Sequence, residues 1–226
     1  MDQVSENPVK NRNDSFNSLV VISGLLITLY LTANIMAVKL ISVFGVTLFD
    51  AGTVTFPLAY MLGDVLTEVW GFRTARKVIW LTFFCNVLLV ASTAIGLVLP
   101  AADYMGETTK AYSVIFTYVP RIVGASLIAF LGGELLNAWS LVKIKELTKG
   151  KHLWMRTIGS SAVGYVFDTV AFVLIAFAGV APTKDLLTMI VAQYFMKLGL
   201  ESLAATPLAY ALIHWMRRRR AIEESL

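Results

Sequence analysis

The sequence predicts an all-α integral membrane protein with six transmembrane helices, and three observations carry that prediction. Of 226 residues, 57% are hydrophobic and 15% are charged, with a mean hydropathy of +0.71, far from the balance of an ordinary soluble domain. Six apolar stretches are each long enough to cross about 30 Å of hydrocarbon, which takes about 20 helical residues. Lys and Arg, finally, gather in alternate connections between those stretches, as they do when short cytoplasmic loops retain positive charge.

Taken in order, residues 1–18 are rich in Asn, Ser and Asp and read as a disordered cytoplasmic tail. The transmembrane domain covers 19–215 and opens with a span from about Leu19 to Val38. That run is too long for a cleaved signal, and no A-x-A site follows it. The next segment, ISVFGVTLFDAGTVTFP, alternates apolar residues and Thr around Gly45 and an Asp50-Ala51-Gly52 turn, which predicts a short extracellular hairpin. The second span runs from about Thr53 to Trp70, with Pro57 in its first turn, where proline is tolerated. The third covers about Val78 to Leu99, stopping before Pro100, and the fourth about Ser113 to Trp139, with a kink expected at Pro120. The fifth is about Ile158 to Val180. The sixth is about Leu186 to Trp215, interrupted by Pro207, and 216–226 form a basic cytoplasmic tail.

Fourteen Lys and Arg fall on one side of this arrangement, in the N-terminal tail, the second and fourth connections and the terminal Arg217–Arg220 run. Only Lys39, Lys110 and Lys184 fall on the other. Both termini are therefore expected in the cytoplasm, and the formal +4 charge serves topology and anionic headgroups of membrane lipid rather than nucleic acid. Six helices divide into two halves of three, and an odd number per half suits a 3+3 inverted repeat of the kind many carriers use.

Charge at bilayer depth is costly, at least about 2.5 kcal/mol on insertion scales, and usually faces a cavity, a partner or a substrate. Asp64 and Asp168 fall near the midplane. Lys197 and Glu201 flank the centre of the sixth span at i,i+4 spacing, which predicts a pair on one face. Asn34, Lys39 and Arg121 lie nearer the outside, as an outer funnel would. Glu68, Glu134 and Asn137 lie nearer the cytoplasm, where an inner gate or simple reach to headgroup water explains them equally. No metal-ligand spacing such as H-E-x-x-H and no G-x-x-x-x-G-K loop occurs, so no metal, no other cofactor and no ATPase is expected. Cys85 is the single cysteine, so no intramolecular disulfide can form.

The segments TANIMAVKL, FPLAYMLGDVLTEVWG, RIVGASLIAFLGGELLN and RTIGSSAVGYVFDTVAFVLIAFAG resemble the queuosine precursor transporter family, also called vitamin uptake transporters, from about Leu31 to Glu201. That resemblance implies a six-helix bacterial inner-membrane importer of 7-deazaguanines such as preQ0 and preQ1, or of queuine, working by alternating access and supplying tRNA modification. Residue by residue it implies substrate-binding roles for Asn34, Lys39, Asp64, Glu68, Arg121, Glu134, Asn137, Asp168, Gln193 and Lys197. Trp70 stands where the family more often has Tyr, and Tyr165 where a polar residue is expected. A deazaguanine offers a ring N–H and an exocyclic amine to a carboxylate in bidentate fashion, and its flat ring stacks on aromatics. Tyr60 and Tyr194, with Phe56 and Phe167, are the nearest aromatic candidates.

Two rivals are set against this reading. One is the substrate-binding subunit of an energy-coupling-factor importer, for which Ala33 and Ala37 offer an A-x-x-x-A docking motif. The other is an intramembrane enzyme built on Asp64 and Asp168; no catalytic residue is assigned, because the flanking motifs are absent. The partner expected is a small purine-like molecule, and a homodimer is compatible with the chain.

Overall fold

A computed structural model describes residues 8–148 and 153–205, together with 207, 208, 210–212, 214 and 215. The basic C-terminal tail, the first seven residues and Lys149, Lys151 and His152 lie outside the described residues. The chain forms α1 (Pro8–Met36), β1 (Leu40–Val43), β2 (Val46–Asp50), α2 (Phe56–Trp70), α3 (Phe72–Val98), α4 (Gly106–Leu147), α5 (Leu153–Phe177) and α6 (Thr183–Leu200). A π-helical turn, Glu201–Ala205, follows α6.

Five of these helices are long and apolar enough to cross a membrane, where six were expected. The exception is α2, whose 15 residues reach only about 22 Å at 1.5 Å per residue, short of the hydrocarbon thickness. Its predicted first residues belong instead to a 3₁₀ turn, Ala51–Val54, whose N-cap Asp50 accepts from the Thr53 amide. At the other end Gly71, with φ +82°, stops α2 and starts α3 in a single residue, a backbone state that glycine adopts without steric cost.

Other boundaries shift for local reasons. Helix α1 begins at Pro8, so the predicted disordered tail is helical from there onward. Extending an existing helix adds one hydrogen bond per residue fixed and avoids a new nucleus, and proline suits a first turn. Helix α4 is longer than predicted, 42 residues, and passes through Pro120 without a break. The π turn after α6 precedes Pro207, which has no N–H to give the carbonyl four residues earlier. Described positions from 207 to 215 are again helical.

The predicted hairpin is present, antiparallel, with Leu40 opposite Asp50 and Val43 opposite Val46 and a bulge between Ile41 and Ser42. Phe44 and Gly45 form its two-residue turn with φ +51° and +77°, the pattern that matches strand twist in tight hairpins. After it, Gly52 lies against the Ala33 carbonyl of α1, where a Cβ would collide.

Two of the apolar clusters among the described residues join several helices. Ile22, Leu26, Leu62, Leu66, Ala75 and Val78 join α1, α2 and α3. Ala37, Ile122, Ala125, Ala129, Phe172, Val173 and Met189 join the end of α1 to α4, α5 and α6, with small residues allowing close approach, as is common between membrane helices. Ala33, packed with Tyr30, Phe56 and Ala59, and Ala37 are each 0% exposed, so both residues of the A-x-x-x-A motif are buried within the chain.

Candidate functional site

Three helices present one polar face each. On α2 the face is Tyr60, Asp64 and Thr67; on α4 it is Phe130, Glu134 and Asn137; on α5 it is Ser161, Tyr165 and Asp168. Spacings of three and four residues stack each set on one side of its helix. These faces line two adjoining cavities that share Tyr60, Asp64, Phe130 and Glu134. The first continues into apolar surface with Leu26, Tyr30, Ile79 and Phe83. The second continues into polar surface with Asn137, Ser161, Tyr165, Asp168 and Glu201.

Close approach of α4 and α5 makes the second cavity. A Cβ on Gly164 would stand 2.8 Å from the Gly133 carbonyl and 3.0 Å from Asn137 Cβ, and one on Gly133 would stand 2.9 Å from Asp168 Cβ. Glycine at both positions lets the backbones meet and sets Asp168 next to α4.

Asp168 is buried and accepts from Lys197 Nζ at 2.5 Å. Asp64 and Glu134, by contrast, are accessible from the cavity and make no hydrogen bond or ion pair among the described residues. One carboxylate is thus neutralised by its own protein, and two are open to a ligand.

Aromatic rings form the wall between them. Tyr60 and Phe130 stack with centroids 5.7 Å apart and planes 18° apart. Tyr30 and Phe83 meet Phe130 edge-on, and Tyr165 meets Tyr60 edge-on at 6.3 Å. Phe56 abuts Tyr30 and Tyr60 behind this wall.

Of the expected site residues, the cavities gather Tyr60, Asp64, Glu134, Asn137 and Asp168, with Lys197 behind Asp168. The expected Lys197–Glu201 pair does not form. Lys197 turns across to α5, while Glu201, at the start of the π turn, accepts from Ser161 Oγ at 2.9 Å. The other six lie elsewhere. Arg121 donates from Nε to the Ile175 carbonyl at 2.7 Å and from Nη2 to the Ala178 carbonyl at 2.5 Å, closing the C-terminal end of α5, whose last carbonyls lack helical partners. Gln193 donates from Nε2 to Asp50 Oδ2 and to Thr53 Oγ1, both at 2.9 Å, and so ties the turn after the hairpin to α6. Asn34 donates to Asn86 Oδ1 at 2.6 Å. Lys39 is exposed at the foot of the hairpin and Glu68 is exposed on α2, neither lining these cavities. Tyr194 lies edge-on to Phe195. Phe167 covers Gly132 on α4, also outside both cavities.

Sequence reasoning missed Tyr30, Phe83 and Phe130 as cavity walls and Asp50 and Asn86 as buried polar partners. For Phe130 a signal existed, since it precedes Glu134 by four residues on the same face. For Asn86 there was none beyond being polar inside an apolar run.

Comparison with known proteins gives the family. The family model described as "Putative vitamin uptake transporter" matches residues 50–212. A protein of Bacillus subtilis named "Probable queuosine precursor transporter" is 34% identical over 79% of this chain and 77% of its own length. One of the same name from Haemophilus influenzae is 29% identical over 56% of this chain and 51% of its own. The Escherichia coli "Queuosine precursor transporter" is 26% identical over 56% of this chain and 54% of its own. This chain therefore spans about half the length of the latter two. No solved structure matches it. With a family match over most of its length and apolar helices to cross the bilayer, the chain belongs to the queuosine precursor transporter (vitamin uptake transporter) family and is a multi-pass protein of the bacterial inner membrane.

Proposed function

We propose that this protein imports a 7-deazaguanine queuosine precursor, such as preQ0, preQ1 or queuine, across the bacterial inner membrane by alternating access. The observation that carries the reading is the pair of carboxylates without a partner among the described residues, Asp64 and Glu134, beside the stacked Tyr60 and Phe130 in one cavity. A deazaguanine ring lies against that aromatic wall. Its ring N–H and exocyclic amine donate to one of the two carboxylates. Asp168, held by Lys197, shapes the far wall of the same cavity.

Both termini sit in the cytoplasm in this reading, following the Lys and Arg distribution. The hairpin and its buried Asp50–Thr53–Gln193 network then cover the outer end, and the accessible carboxylates face the inner half. Such an arrangement corresponds to a state closed outward and open inward. The two halves of three helices serve as inverted repeats that exchange this state for its opposite.

Uptake of labelled preQ0, preQ1 and queuine into cells without their own route tests the proposal. Wild type imports at least one and returns it chemically unchanged, in a host without an energy-coupling module. Asp64→Asn and Glu134→Gln lower apparent affinity by about tenfold or more, the value of a charge-assisted hydrogen bond. Failure of wild type to import any of the three sinks the substrate assignment, and normal uptake by both variants sinks the site.

A further inference from the structure

We propose that the cavity prefers a cationic ligand, so that a 7-deazaguanine carrying an aliphatic ammonium binds in preference to its neutral nitrile counterpart. This rests on the reading above, that the cavity holds a 7-deazaguanine. Asp64, Glu134, Asp168 and Glu201 line the two cavities, and no Lys, Arg or His is among the lining residues. Lys197, the one cation bonded to any of the four among the described residues, is consumed by Asp168. Three carboxylates are left without a countercharge in a wall otherwise built of uncharged side chains and glycine. Carboxylates at membrane depth demand a partner, and the described residues supply no cation to these three.

Hydrogen-bonding capacity points the same way and locates the charge. In the polar cavity, Asn137 Oδ1 and Glu201 Oε2 are buried acceptors with no hydrogen-bond partner among the described residues, the Tyr165 hydroxyl lying near the Glu201 carboxylate. Ser161 spends its hydroxyl on the other Glu201 oxygen. Buried acceptors left unpaired cost free energy, and the ligand that relieves them must bring donors. An ammonium brings three donors and no acceptor, as a lysine head does, and with a similar pKa it is protonated at pH 7. A nitrile brings only an acceptor. The ring and its donor edge lie where the cavities adjoin, at Tyr60, Asp64, Phe130 and Glu134, and the ammonium reaches toward Asn137 and Glu201. Glu201, which lines this cavity, stands at the start of a π turn, a feature frequent at functional sites.

Equilibrium binding to the purified full-length protein in a neutral detergent at pH 7 tests this, with the aminomethyl and cyano 7-deazaguanines as probes. The aminomethyl compound binds about tenfold to a hundredfold more tightly, and Glu201→Gln and Asn137→Leu each shrink that ratio. Equal affinities, or tighter binding of the nitrile, overturn the inference while leaving the substrate class intact. A ratio unmoved by either variant overturns the placement of the ammonium. If neither compound binds, the assignment of the cavity to a deazaguanine fails, and the charge preference with it.

Discussion

Replacing Lys197 by Met removes the cation that faces Asp168. In the folded protein these residues are 4% and 5% exposed and meet at 2.5 Å, so water cannot take the place of the lost partner. Breaking a buried pair from one side typically costs about 3–5 kcal/mol, because the remaining charge is stranded. Replacing both members with neutral groups of similar size removes that penalty, so Asp168→Asn with Lys197→Met recovers most of the loss. Thermal unfolding of wild type, both single variants and the double variant in detergent reads this out. The Tm of Lys197→Met falls by on the order of 10 °C, and the double variant lies well above the sum of the two single changes. Wild-type stability in the single variant, or an additive double variant, refutes the claim that the pair is a closed buried unit.

Three further outcomes follow from the geometry. Gly164→Ala places a methyl 2.8 Å from the Gly133 carbonyl and lowers stability by about 1–3 kcal/mol through overpacking; unchanged thermal stability contradicts the close α4–α5 contact. Gln193→Leu strips Asp50 and Thr53 of their shared donor, costing about 1.5–3 kcal/mol locally. Its signature is faster hydrogen exchange over residues 40–50, and exchange at wild-type rates there argues against the tie to α6. Arg121→Gln uncovers the Ile175 and Ala178 carbonyls and loses about 1.5–3 kcal/mol with the KM for uptake unchanged. A selective rise in KM without loss of stability returns Arg121 to the binding site.

Asp64, Glu134 and Asp168 are legible as candidate site acids in the amino-acid sequence alone, because depth and helical phase are properties of a single segment. Their division of labour is not. In sequence, Lys197 and Glu201 look like natural partners four residues apart. In the folded chain the Glu201 carboxylate meets Ser161, and Lys197 finds Asp168 on the neighbouring helix instead. Likewise Arg121 and Gln193 carry the chemistry expected of binding residues, yet each spends its donors on the protein's own carbonyls and carboxylate.

By itself, then, the sequence determined the membrane class, the approximate positions of most apolar helices and the hairpin near Gly45, and it pointed to the acids inside apolar segments. Hydropathy, turn propensity and the cost of a buried charge act over a few residues and need no knowledge of neighbours. Only the tertiary structure decided which acid is neutralised, which are open, and that Phe130 rather than Phe167 walls the cavity. Those outcomes depend on which helices touch and at what rotation, and here that is set by Gly133 and Gly164, where two backbones approach too closely for any side chain to stand between them.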